Sequence, residues 1–253
     1  IRFAEYNASN FCITPSDGGC NLCFYVNAID KFEAEQQALE RLYEICAFLS
    51  VETNIYCSFD EFTVIENELL LENKSSSQFI DDYIDYYPAI DNWQICISSY
   101  AYKFINENIL SIGRFEKRCE VEKFFISACK HLQIGIETEL RIGDIAIASI
   151  PFGTIALSQR DQRNKVEHMT SALMSYLSAI ECATATETNH ETCKECGAVI
   201  YKIADRVRNL STEFLGEHLG KVFHKLYAYR SKFLHTGRMA SDANIVRTIP
   251  LLS

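Results

Sequence analysis

Lys225-Leu226-Tyr227-Ala228-Tyr229-Arg230-Ser231-Lys232-Phe233-Leu234-His235-Thr236-Gly237-Arg238 is the stretch on which the reading of this chain turns. Just upstream, Leu219, Val222, Phe223 and Leu226 recur at three- and four-residue steps, the signature of a helix with one buried face. Continuing that stripe reaches Arg230 and then Phe233. A guanidinium where a leucine is expected is costly unless its charge finds a partner or a ligand. His235 follows five residues on, and Gly237 closes the run as helix C-caps often do.

Arg and His together suit the cleavage of RNA without a metal. That reaction needs a proton acceptor for the ribose 2′-OH and a fixed cation for the pentavalent phosphate. His titrates near neutrality and serves the first; Arg keeps its charge and offers a fork to phosphate oxygens. On a straight helix at about 100° per residue, positions five apart sit about 140° from each other. Arg230 and His235 therefore do not stack, and either the helix ends near His235 or a second copy of the chain completes the site. Spacing alone does not single them out, because Arg163-Asn164-Lys165-Val166-Glu167-His168 repeats the pattern. Taken by spacing only, Arg230 is a helix arginine paired to a carboxylate and His235 a last-turn histidine favoured by the helix dipole.

The wider context resembles a family. Leu226-Tyr227-x-Tyr229-Arg230-Ser231-Lys232-Phe233-x-His235-x-Gly237 looks like the end of the catalytic helix in HEPN domains, particularly the Apea-like branch associated with bacterial abortive infection. Ser171-Ala172-Leu173-Met174-Ser175-Tyr176-Leu177-Ser178-Ala179-Ile180-Glu181 is similar to that branch's helix ending in an "ALE"-like signature. The likeness covers roughly the last third to half of the chain. It implies a metal-independent endoribonuclease of an anti-phage or toxin-type system, with Arg230 stabilising the phosphate and His235 transferring the proton. It also implies a homodimer with the Arg/His pair at the dimer cleft. One residue departs from the pattern: many HEPN nucleases carry Asn, Asp or His directly after the Arg, where this chain has Ser231. Ser231 lies one turn before His235, within reach to orient it by a hydrogen bond. A second reading, of a different class, is a non-catalytic HEPN scaffold that binds RNA or a partner protein.

Composition bounds these readings. A chain of 253 residues with 48% hydrophobic and 23% charged content is that of a soluble globular protein of one or two domains. Only 4 Pro and 10 Gly argue against long linkers and a turn-rich all-β sandwich. The start at Ile1 leaves open that this is a piece of a longer protein. No apolar leader precedes Glu5, and the longest apolar run, residues 142–157, contains Asp144 and Pro151 and is too short to span a membrane. A cysteine-rich chain of this kind, with 11 Cys, reads as cytoplasmic, its thiols buried or binding metal.

The net charge of −10 argues at first against an RNA partner, but its distribution does not. Residues 201–253 hold nine Lys and Arg against four Asp and Glu, a balance of +5, whereas residues 1–200 hold 15 against 30, a balance of −15. The basic part carries Arg230 and His235, which fits a local phosphate-binding surface on an acidic body. The acidic part suggests a protein or small-molecule trigger rather than nucleic acid.

Periodicity predicts an α+β chain: a mixed N-terminal domain over residues 1–114, then an all-α bundle over residues 115–253. Residues 20–29 and 55–65 read as strands, and Lys31 to Leu49 as a helix capped by Asp30. Residues 78–87 suggest a short helix stopped by Pro88. Beyond residue 115, helices are predicted over 120–132, 161–183, 198–210 and 215–235.

Between the second and third of these helices lies a possible metal loop, residues 182–197. Cys193-x2-Cys196-Gly197 has the form of a zinc knuckle, whose tight turn lets two thiolates reach one tetrahedral ion. Cys182 and His190 complete a Cys-x7-His-x2-Cys-x2-Cys set for a structural zinc, with no position left open for catalysis. The same loop also reads as free thiols, or as a nucleic-acid-binding ribbon in its own right. Cys20-x2-Cys23, with Cys12 nearby, is a second such pair, but its place in a predicted strand makes burial the better explanation.

Overall fold

The computed structural model describes residues 2–8, 10–16, 19–65, 90–91, 94–111, 118–148, 159–185, 191–192, 199–200 and 202–236. For residues 2, 90–91, 142–148, 159–163, 191–192, 199–200 and 232–236 the description is of the backbone alone. The chain is α+β and divides into two compact units, Ile1–Glu122 and Lys123–Ser253. The predicted helix over 78–87 lies outside the described residues.

In the first unit, β1 (Arg2–Phe3), β2 (Tyr6–Asn7), β3 (Phe11–Ser16) and β4 (Gly19–Phe24) precede helix α1 (Lys31–Thr53). β2, β3 and β4 form an antiparallel meander, with Phe11 opposite Phe24 and Cys12 opposite Cys23. Along β3 the fully buried Phe11 and Ile13 alternate with half-buried Cys12 and Thr14, as one-sided burial of a strand requires. A second sheet sets β1 parallel to β6 (Gln94–Ile95), which pairs in turn with β5 (Ile90–Asp91). The buried Tyr6 hydroxyl accepts from the Ile97 amide at 3.1 Å, and Tyr102 donates to the Asn7 carbonyl, tying the two ends of the unit together.

Asp30 caps α1 as predicted, its carboxylate accepting from the Glu33 amide at 2.8 Å. The helix runs one turn past the predicted Leu49 and stops at Asn54, which takes the left-handed conformation (φ 51°) common at helix ends. Glu44 is buried at 2% exposure, with Arg118 binding it in bidentate fashion and Arg41 at 3.3 Å. Helix α2 (Ser99–Phe104), capped by Ser98, continues into a π turn over Ile105–Leu110. Helical structure thus begins earlier than the predicted change of character near residue 115.

Two predicted strands are corrected. Residues 25–29 do not extend β4, because β3 has run out at Phe11 and the Tyr25 amide turns to the Asn10 carbonyl. Residues 55–65 are irregular, and the Cys57 amide is spent on the Ser50 hydroxyl at 2.9 Å rather than on a ladder. They instead line a cavity of about 1490 Å³ together with Cys20, Phe24, Ala38, Leu42 and Cys46 among others.

The second unit is built on α3 (Glu120–Ala148), α4 (Gln159–Ala183) and α5 (Ile203–Thr236), with a two-stranded ladder of β7 (Glu191–Thr192) and β8 (Val199–Ile200) before α5. The helix predicted over 198–210 therefore starts only at Ile203; the β-branched Val199 and Ile200 pair with Thr192 and Glu191 instead. α3 extends well beyond its predicted end at Leu132. α5 is broken at Gly216, whose φ of 83° and ψ of 167° only glycine adopts without strain. Its two arms, 203–215 and 217–236, fold back on one another: His224 Nδ1 lies 3.3 Å from the Ala204 carbonyl, and a Cβ on Gly220 would come within 2.0 Å of Thr212 Oγ1.

α3 and α4 meet at another glycine. A Cβ on Gly135 would lie 2.3 Å from Cε1 of Tyr176, whose hydroxyl donates to Glu139. Gly135→Ala is expected to push the ring out and cost about 1–3 kcal/mol in urea denaturation. Gly19→Ala, where nothing lies within 4 Å, is expected to stay within about 0.5 kcal/mol and serves as the control.

Candidate functional site

α4 and the second arm of α5 each present two polar side chains one turn apart: Ser178 and Glu181, Tyr227 and Arg230. Arg230 Nη1 lies 2.8 Å from Glu181 Oε2, and Nη2 lies 3.2 Å from Ser178 Oγ. Nη1 also sits 3.5 Å from the Tyr227 hydroxyl, with the guanidinium carbon 5.5 Å from that ring's centroid. The carboxylate that an arginine in this stripe requires is therefore Glu181, within the same chain. Its partner side chains are 17% and 26% exposed, so the pair is shielded without being sealed from water.

Three of the five guanidinium hydrogens are engaged in these contacts. Among the described residues Nε–H and one hydrogen of Nη2 have no acceptor, which leaves them for a further one such as an oxyanion. Burial pushes the Tyr227 phenol above its ordinary pKa and Glu181 adds to the shift, while Arg230 and then Arg206 work against it. Tyr227 accordingly stays a neutral hydroxyl, able to donate or accept. The arrangement supplies a cation fixed from three sides, a hydroxyl beside it and a carboxylate behind it. This is an electrostatic platform rather than a nucleophile.

Of the predicted catalytic residues, Arg230 is placed in this cluster and Ser231 is exposed on the next position of the arm. His235 lies in helical backbone, since α5 continues to Thr236. The helix thus carries past His235, and the angular separation of about 140° from Arg230 persists as far as the backbone is straight. Arg163 is described by backbone alone, and His168 is half-buried on α4. Sequence reasoning gave Ser178 and Tyr227 no role beside Arg230. Glu181 was noticed only as the end of an "ALE"-like signature, although its spacing of three from Ser178 marks a shared helix face.

The proposed metal ligands fall in two places. Cys182 is half-buried at the end of α4, its sulfur 3.5 Å from the Ser127 hydroxyl of α3. His190, Cys193 and Cys196 lie outside the described residues. Glu191 pairs with Ile200 and Thr192 with Val199. Among the described residues, no group of three or more His, Cys, Asp or Glu is arranged to hold a metal ion. Cys20 and Cys23, three apart on β4, point to opposite sheet faces, so they do not form a knuckle.

Comparison with family models, curated proteins and solved structures finds no match. No helix among the described residues is long and apolar enough to cross a membrane.

The thiols of Cys46, Cys57 and Cys129 are poor nucleophiles. Burial first, then Cys57 and Cys20, pushes Cys46 up to about 12; burial likewise pushes Cys57 to about 11, and in the second unit Cys129 to about 12. Only the thiolate reacts. At pH 8, iodoacetamide is expected to alkylate the exposed Cys119 well before Cys46, Cys57 or Cys129, as read by peptide mass spectrometry. Early labelling of Cys46 would contradict that order.

Proposed function

We propose that the chain is a HEPN-type, metal-independent endoribonuclease of a bacterial anti-phage or toxin-type system. Arg230 stabilises the phosphate, His235 transfers the proton and Ser231 orients His235. The observation that supports this reading is the setting of Arg230: a guanidinium held by Glu181 and Ser178 that keeps two donors for an incoming oxyanion. The charge balance of +5 over residues 201–253 supports it as well. The unit that works is a homodimer, because a helical backbone through Thr236 leaves one chain's Arg and His on different faces. The cavity of about 1490 Å³ in the first unit supports a small-molecule trigger there.

The Arg230–Glu181 pair also favours a second reading, a non-catalytic scaffold in which that pair only joins α4 to α5. Purified protein incubated with total RNA in EDTA separates the two. Cleavage is expected to survive chelation and to fall about 10²–10³-fold in Arg230→Ala and about 10²–10⁴-fold in His235→Ala, each remaining folded by circular dichroism. Mixed Arg230→Ala and His235→Ala chains are expected to regain activity by sharing one intact site. RNA binding without cleavage in any form would favour the scaffold.

A structural zinc at Cys182, His190, Cys193 and Cys196 is the companion proposal, and the Cys-x2-Cys-Gly spacing supports its knuckle half. When bound, the ion would pin the loop between α4 and α5. Protein purified without chelator is expected to carry close to one zinc per chain, about one equivalent by elemental analysis, lost in Cys196→Ser together with thermal stability. Zinc-free protein of undiminished stability would remove it.

A further inference from the structure

In the ladder of β3 and β4, Cys12 stands directly opposite Cys23. Cross-strand partners share a sheet face, so both thiols lie on the face opposite to that of the buried Phe11 and Ile13. The Tyr25 amide donates to the Asn10 carbonyl at 3.2 Å, which makes 10/25 a hydrogen-bonded position of the same register. Alternation then makes 12/23 hydrogen-bonded as well and 15/20 not, where Pro15 has no amide to offer. Residues facing one another in such a pair have Cα atoms about 5.5 Å apart, inside the range of about 4.4–6.8 Å that a disulfide spans.

Both thiols are half-buried, within reach of a small oxidant, and the two side chains hydrogen-bond one another. Among the described residues no other two cysteines face one another across a ladder. Cys20, Cys46 and Cys57 influence one another from the cavity wall, but burial pushes the last two thiols up to about 12 and about 11. Burial first, then Cys23, also pushes the Cys12 thiol above its ordinary pKa; Glu5 adds to the shift and the Cys23 amide works against it. The pair is therefore a slow acceptor of oxidant rather than a peroxidase.

Closing the bond strains the sheet. Cβ atoms across a hydrogen-bonded pair lie about 5.5 Å apart, against about 3.5–4.5 Å in a disulfide, so the strands must draw together by about an ångström. A bond made under strain is readily reduced again, which marks a regulatory disulfide rather than a structural one. Cys20, Leu22, Cys23 and Phe24 of β4 all line the cavity of the first unit, so drawing β4 towards β3 moves that cavity's wall.

We infer that Cys12 and Cys23 form a reversible redox site, closed to a cross-strand disulfide by a peroxide and reopened by a thiol. In the forward step one thiolate attacks a peroxide oxygen and breaks the O–O bond, giving a sulfenic acid and hydroxide, which takes up a proton and leaves as water. The second thiolate attacks the sulfenic sulfur, forms the S–S bond and expels the oxygen as a second water. The two sulfurs together lose two electrons and the peroxide gains them. Two equivalents of an external thiol return both electrons and both protons. The site does not rest on the nuclease reading.

The test treats the full chain with hydrogen peroxide or with dithiothreitol, blocks free thiols with N-ethylmaleimide and maps the peptides by mass spectrometry. A peptide joining Cys12 to Cys23 is expected after peroxide and not after dithiothreitol. Equilibration with millimolar reduced glutathione is expected to open most of that bond. Hydrogen exchange at the β4 amides is expected to slow about tenfold when wild type is oxidised, and not to change in Cys12→Ser or Cys23→Ser. Both variants are expected to melt within a few degrees of the reduced wild type, and the peptide mapping on wild type needs neither of them. If peroxide links Cys46 to Cys57, joins two chains, or carries Cys12 to a sulfinic acid without any bond to Cys23, the pair is overturned. A Cys12–Cys23 bond that resists glutathione, or one that leaves exchange at β4 unaltered, would overturn the switch.

Discussion

Glu181 and Arg230 join α4 to the second arm of α5, and much of the second unit is arranged to let them meet. An arginine in an apolar stripe needs a counter-charge at a fixed distance. The carboxylate lies two residues before the end of α4 at Ala183. The helix reaches it because α4 seats Tyr176 against the bare face of Gly135. On the other side, the arm carrying Arg230 is supported by the hairpin at Gly216, which sets Gly220 against Thr212. Both approaches depend on positions where a Cβ would collide. Partial exposure keeps the pair from contributing much to stability, since charges in contact with water gain little from their attraction. Orientation is what it supplies: a guanidinium with three contacts made has little freedom left, and its remaining donors face a defined direction.

How much of this was readable from the chain differs by level. The long helices were legible because each buries one face over many turns; Asp30 and its capping bond to Glu33 could be assigned residue by residue. The short strands were not, because two-residue ladders such as Tyr6–Asn7 and Val199–Ile200 leave no room for a period to declare itself. Residues 55–65 misled for a related reason: aromatic and β-branched residues can line a cavity wall without joining a sheet. At the site, the requirement for a partner was legible in Arg230 alone. The identity of the partner was not, because Glu181 is distant in sequence and only the packing of α4 on α5 brings it close.

Among the described residues each unit sets arginine against glutamate, buried in the first unit and partly exposed in the second, and the two settings ask different things of the pair. In the first unit, Arg41 and Arg118 both bind Glu44, which is nearly inaccessible to water. Every charge there touches its opposite, and removing one member leaves another stranded, the mark of a structural network. In the second unit Arg230 binds Glu181, with Tyr227 beside the pair, and both charged side chains keep some contact with water. Glu181 holds Arg230 in place while water still reaches the pair, so the contact orients the guanidinium without sealing its charge away.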